Sequence, residues 1–106
     1  LLLRHGAERV LVSLDRDGAF LLDREGLLLA RAPEVEVRSS VGAGDAMLAW
    51  FTAALLTGLP REEALRRAVA AGSAACLHYG THAPSREETE ALLSRVGIDP
   101  AGNLPD

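Results

Sequence analysis

The residues best suited to chemistry sit together in Ser39-Ser40-Val41-Gly42-Ala43-Gly44-Asp45. Two glycines around an alanine let successive backbone N–H groups turn toward a common point, and the run leads into an apolar stretch that reads as a helix. Amides at a helix N-terminus point outward along a dipole whose positive end is there. The segment therefore predicts an anion cradle built without a basic side chain. Asp45 stands at its rim, and spacing alone leaves two readings of its carboxylate open. It could cap the helix by accepting from the first amides, worth about 1 kcal/mol. It could instead face the reaction partner of a phosphate bound in the cradle.

Other reactive groups point to less. His78 and His82 are four apart, but Gly80 breaks a helix between them, so a shared metal is not expected. His5, near a helix end, reads as a dipole partner. Cys76 falls on an apolar helical face and reads as a packed thiol; as the only cysteine it excludes an internal disulfide and a multi-cysteine zinc site. Arg66-Arg67 reads as a solvated face, and Trp50 and Phe51 as core or interface residues. All 11 basic residues are arginine. The absence of lysine removes a P-loop ending in GK[ST], a protein-kinase ATP lysine and a Schiff base.

These groups must be positioned by one small domain, since the chain has 106 residues, 48% hydrophobic and 25% charged. A chain this short buries roughly 60–65% of its unfolded surface. A net charge of −4 argues against a nucleic-acid or anionic-membrane surface. No apolar run matches a membrane span and no signal peptide opens the chain, so a soluble cytoplasmic protein is expected. Leu1-Leu2-Leu3-Arg4-His5-Gly6 reads as the last turn of a helix with Gly6 as its cap. That points to a piece of a longer protein or a shortened reading frame, with a frayed tail as the alternative.

The first half has period two. Arg9–Leu14 is apolar on both faces and predicts a buried strand. Asp15-Arg16-Asp17-Gly18 is turn chemistry, Ala19–Leu22 a second strand, Asp23–Gly26 a second turn and Leu27–Arg31 a third strand. Val35–Arg38 alternates as a half-exposed strand or extended segment. The second half has helical period. Asp45–Thr57 holds no charge after the aspartate and predicts a helix buried nearly all round, capped by Gly58. Arg61–Tyr79 presents one apolar face through Leu65, Ala68, Val69, Gly72, Ala75 and Cys76. Glu62–Arg66 and Glu63–Arg67 pair on its outer side, and the small residues 70–75 would admit another backbone or a flat ligand. Ser85 and Glu88 form a capping box that opens a third helix, running to about Arg95. Residues 98–106 read as a loose tail behind a domain of residues 1–97.

This order of hairpins, VGAGDAM, apolar helix, AVAAGSAA helix, Gly80-Thr81 and capped helix resembles the C-terminal part of the ribokinase-like (PfkB) carbohydrate kinases. The resemblance runs from about Val10 to Leu93 and covers about the last third of a typical member. Val12-Ser13-Leu14, Ala32-Pro33 and Val41–Asp45 look most like 1-phosphofructokinases and tagatose-6-phosphate kinases. It implies an α/β, ribokinase-like C-terminal fragment, a β-meander followed by three helices. It implies Asp45 as the base toward a sugar or sugar-phosphate hydroxyl, and Gly42, Ala43 and Gly44 as the anion hole for the γ-phosphoryl group of ATP. Ser13, Leu14, Asp15, Arg16, Asp17 and Gly18 match the loop that touches the ATP phosphates, and Ala71 and Gly72 the helix beside adenine. Mg²⁺ would arrive with the nucleotide, with no dedicated metal site.

Three departures stand out. Asp15 replaces a usual glycine, so two carboxylates, Asp15 and Asp17, would repel the triphosphate unless Mg²⁺ or Arg16 compensates. Trp50 replaces a small residue, and Ser39-Ser40 replaces Asp/Asn-Thr, which weakens any monovalent-cation site. Alone, the chain lacks the sugar-binding half, so an inactive nucleotide-binding or interaction remnant is the competing reading. An apolar patch at Trp50, Phe51 and Leu55 is expected, with a homo-oligomer or the missing N-terminal half covering it.

Overall fold

The computed structural model describes residues 8–78 and 83–100. The helical turn expected over Leu1–Gly6, with His5, and the positions of Tyr79, Gly80, Thr81 and His82 lie outside the described residues.

The β-meander is present. Strands β1 (Arg9–Ser13), β2 (Gly18–Asp23) and β3 (Gly26–Arg31) are antiparallel, with Ser13 opposite Ala19 and Leu21 opposite Leu28. Ala19, Leu21, Leu28 and Ala30 point to one face, where all four are buried. A single-turn 3-10 helix, Asp15–Asp17, joins β1 to β2, and Gly18 follows it at φ 121°. A Cβ there would lie 1.9 Å from the Ala30 carbonyl oxygen, so only glycine fits. β1 is half-buried rather than buried on both faces, because it is the outermost strand of the sheet. The loose tail expected from Ile98 begins instead as strand β4 (Gly97–Pro100), paired to β3 with Ile98 opposite Ala30. Ile98 packs against the core and Asp99 pairs with Arg31, partners that only the folded edge of β3 supplies. Residues 101–106 lie outside the described residues.

Val35–Arg38 is an extended segment without a strand partner; the Arg38 and Ser39 amides donate to the Cys76 carbonyl at 2.8 and 3.3 Å. Helix α1 (Ala43–Leu56) then crosses α2 (Arg61–Ala75), and α3 (Arg86–Leu93) lies along α2. Helix α2 is buried beyond the one apolar face expected of it, and α1 does leave an apolar patch exposed, but at Leu48 and Leu56 rather than at Phe51 and Leu55. On α1 only Met47, Phe51 and Ala54 are buried, whereas on α2 every residue from Ala68 to Ala75 is. The alanine-rich α2 is narrow enough to lie between the sheet and α1, so it takes the central place. Phe51 and Leu55 accordingly pack inward, and Leu48 and Leu56 are the exposed leucines of α1. The α2 helix ends at Ala75 because Cys76, Leu77 and His78 donate three residues back, tightening the last turn. On its outer side Glu63 holds both Arg66 and Arg67, at 3.4 and 3.3 Å. The capping box is formed: Ser85 Oγ accepts from the Glu88 amide at 3.1 Å and Glu88 Oε1 from the Ser85 amide at 2.9 Å.

Candidate active site

The chain enters α1 through a tight turn. The Ala43 amide donates to the Ser40 carbonyl at 3.2 Å, and Gly42 occupies the left-handed region at φ 84°, ψ −5°. That is the third-position geometry of a type II turn, which favours glycine. The Val41 amide donates to Ser39 Oγ at 3.2 Å, and the bonds from Arg38 and Ser39 to Cys76 fasten the approach to the end of α2. Gly42 is thus the N-cap of α1 and Asp45 its third helical residue. The capping role offered for Asp45 is corrected: the helix begins two residues earlier because glycine can take the turn's positive φ.

The helical ladder opens with the Ala46 amide donating to the Gly42 carbonyl at 2.9 Å. The Gly44 and Asp45 amides precede that rung and face out of the helix end. Ala43 is corrected as a donor to the cradle, since its amide is spent in the turn. Gly44 is exposed, and a Cβ built on it meets nothing within 4 Å. The space over these amides is therefore open. The Asp45 carboxylate is exposed in the first turn.

Beside this helix end runs a groove of about 1140 Å³. Ser13, Arg16 and Gly18 from the β1–β2 loop form one wall; Ala43, Gly44 and Met47 of α1 and Gly72, Ser73 and Cys76 of α2 form the other. Ala32, Pro33, Glu34, Val35 and Val37 line it as well. The groove gathers six of the expected site residues: Ser13, Arg16, Gly18, Ala43, Gly44 and Gly72. Leu14, Asp17, Gly42, Asp45 and Ala71 do not line it, and the Asp15 side chain lies outside what the structure describes. The loop is closed on itself, Leu14 amide to Gly18 carbonyl at 2.8 Å and Asp17 amide to Leu14 carbonyl at 3.1 Å. Those two amides are therefore unavailable to a ligand. Ala71 has no exposed surface, which corrects its place beside a nucleotide base. Gly72 reaches the groove but also serves packing: a Cβ on it would lie 3.3 Å from Met47 Cε and 3.5 Å from the Ala43 carbonyl oxygen. The small residues of α2 mainly admit α1 and the sheet, not a flat ligand.

Sequence reasoning missed Ser73 and the 32–37 segment as groove lining, for want of any local signal. Cys76 is half-buried at the groove, and burial pushes its thiol up, away from nucleophilic use. Among the described residues lining the groove, Arg16 is the one arginine and Glu34 the one carboxylate. A guanidinium and outward amides in one groove suit a polyphosphate.

Residues 2–89 match the model of the pfkB family carbohydrate kinases. The chain belongs to that family. It is 38% identical to the 1-phosphofructokinase of Bacillus subtilis over 92% of this chain and 31% of that protein. It is 44% identical to the ATP-dependent 6-phosphofructokinase isozyme 2 of Escherichia coli over 84% of this chain and 30% of that one. A solved structure of phosphofructokinase-2 from Escherichia coli, in complex with potassium, superposes with a TM-score of 0.83 at 39% identity over 88% of this chain and 30% of that one. Ribokinase from Thermotoga maritima superposes at 0.81 with 30% identity, over 87% of this chain and 32% of that one. The pfkB chain described here thus spans about 30% of the length of the relatives it matches. Its ribokinase-like α/β character is shared with these structures. Among the described residues no helix is long and apolar enough to cross a membrane.

Proposed function

We propose that this chain carries the phosphoryl-transfer half of an ATP-dependent sugar or sugar-phosphate kinase of the 1-phosphofructokinase type. One observation carries the reading: the left-handed Gly42 cap leaves the Gly44 and Asp45 amides outward, with the Asp45 carboxylate on the same turn. The groove accepts ATP, the β1–β2 loop and Arg16 lie along its phosphates, and the outward amides hold the γ-phosphoryl group as charge develops. Asp45 orients the acceptor hydroxyl and takes its proton. The hydroxyl oxygen then bonds to the γ-phosphorus, the bond to the bridging oxygen breaks, and ADP leaves with that electron pair. Mg²⁺ neutralises phosphate charge when bound, and among the described residues no cluster of three or more His, Cys, Asp or Glu would hold it alone. A cytoplasmic setting, where ATP is held, belongs to the same reading.

Calorimetry of the chain with Mg-ATP tests the site. The expected result is binding that weakens about tenfold in Gly44→Val, a change with room in the fold. A chain that binds no Mg-ATP favours the remnant reading instead, an inactive interaction piece of the fold. That alternative draws on the chain's spanning about 30% of the relatives' length.

A further inference from the structure

Residues 33–37, all but Glu36 of which line the groove, lie in no strand or helix. The stretch is tied at its two ends, where the Ala32 amide donates to the Asp17 carbonyl at 3.3 Å and the Arg38 and Ser39 amides donate to the Cys76 carbonyl. Between those ends Pro33 has no amide to donate. Val35 packs against the core, while Glu34, Glu36 and Val37 are exposed. Among the described residues one hydrogen bond reaches this stretch, from Arg95 Nη2 to the Glu34 carbonyl at 2.5 Å. Arg95 stands on a firm mount between α3 and β4. Its amide donates to the Leu92 carbonyl at 3.0 Å, and the neighbouring Val96 is buried, with its carbonyl accepting from Arg66 Nη1 at 3.0 Å. Among the described residues Arg95 forms no ion pair; its guanidinium goes to a backbone carbonyl 61 residues away.

We propose that Arg95 is a positioning residue of the groove: by holding the Glu34 carbonyl, it fixes residues 33–37 as a preformed lining for the nucleotide. The inference rests on the groove's taking ATP, as proposed above. A charged donor on a carbonyl makes a stronger tie than a neutral one. Without it, the stretch would have to be ordered by the ligand at the moment of binding, and that entropy cost lowers affinity. The same stretch runs on into Ser39 and Ser40, which enter the turn that sets the start of α1. Arg95 is exposed, so its loss opens no cavity in the core. Affinity and stability should therefore respond to it differently.

The test compares the full 106-residue chain with Arg95→Ala and Arg95→Lys by amide nitrogen relaxation, calorimetry with Mg-ATP and urea titration. In Arg95→Ala the order parameters of Val35, Glu36 and Val37 should fall from about 0.85 toward about 0.6. Mg-ATP affinity should weaken about fivefold while the urea midpoint stays with the parent's. Arg95→Lys keeps a cationic donor and should recover most of both losses. Unchanged order parameters, or a loosened stretch with unchanged Mg-ATP affinity, overturns the inference. So does a urea midpoint that falls in step with affinity and that lysine does not rescue, which would make Arg95 a structural residue only. A parent chain that binds no Mg-ATP removes the ATP reading and the inference with it, an outcome set apart from the others by the parent's own titration.

Discussion

Arg61 grips Asp23 with two bonds, Nη2 to Oδ1 at 2.8 Å and Nε to Oδ2 at 2.9 Å, with both side chains largely buried. The same guanidinium donates to the Gly26 carbonyl at 2.8 Å, and Asp23 Oδ1 accepts from the Glu25 amide at 2.9 Å. Arg61 opens α2, where the helix dipole disfavours a cation. A carboxylate at the end of β2 reverses that and locks the hairpin to the central helix.

Asp23→Ala or Arg61→Ala should each cost about 3–5 kcal/mol, because the first leaves the buried guanidinium only the exposed Glu25 carboxylate at 3.5 Å and the second leaves the buried Asp23 without its cation. Arg61→Lys should fail to restore stability, since an ammonium cannot make the fork. Urea titrations followed by circular dichroism decide it, and a loss below about 1 kcal/mol for both alanine variants would show the pair to be idle.

Two glycines of the candidate site should part company. Gly18→Ala forces a Cβ to 1.9 Å from the Ala30 carbonyl oxygen at φ 121°, and should cost about 3 kcal/mol or more. Gly44→Ala meets nothing and should hold or raise stability by up to about 1 kcal/mol as a helix residue. Mg-ATP binding should nonetheless weaken in Gly44→Ala. Equal melting losses in the two variants would contradict the open space over Gly44.

Asp45→Asn separates stability from chemistry. At the third helical position the carboxylate is worth about 0.3–1 kcal/mol through the dipole. In the full-length kinase, turnover should fall about 10²–10⁴-fold with Mg-ATP affinity nearly unchanged. Turnover within twofold of the parent would remove Asp45 from the reaction.

The Glu88 carboxyl is held below the usual glutamate range, chiefly by the Ser85 amide and then by His78 Nε2 at 2.5 Å. A depressed folded-state pKa contributes stability above the unfolded value, near 4.3, that is lost as pH falls through the folded one. Glu88→Gln keeps an acceptor for the Ser85 amide but cannot titrate. Its urea midpoint should therefore fall less steeply than the parent's as the pH drops from 5 toward 3. Parallel profiles would mean that Glu88 contributes nothing to acid stability.

Local chemistry was legible in the residues themselves. Short apolar runs bounded by Asp-Gly or Glu-Gly turns set the hairpins, Ser85 and Glu88 set the start of α3, and Gly42 and Gly44 marked the entry to α1. Each depends on neighbours within about four positions, which the chain order supplies. Tertiary structure alone decided the rest. Hydrophobic content ranked α1 as the buried helix, but burial depends on how layers stack, and alanine-rich α2 fits between the sheet and a second helix where a leucine- and tryptophan-bearing one does not. The strand at Gly97–Pro100 exists because β3 offers an edge, and Arg61 is buried because Asp23 meets it from 38 residues away. Asp45 and the groove sit on different faces of the same helix end for a similar reason. A left-handed glycine sets where α1 starts, and that start fixes which residues the helix turns toward α2 and which it turns out.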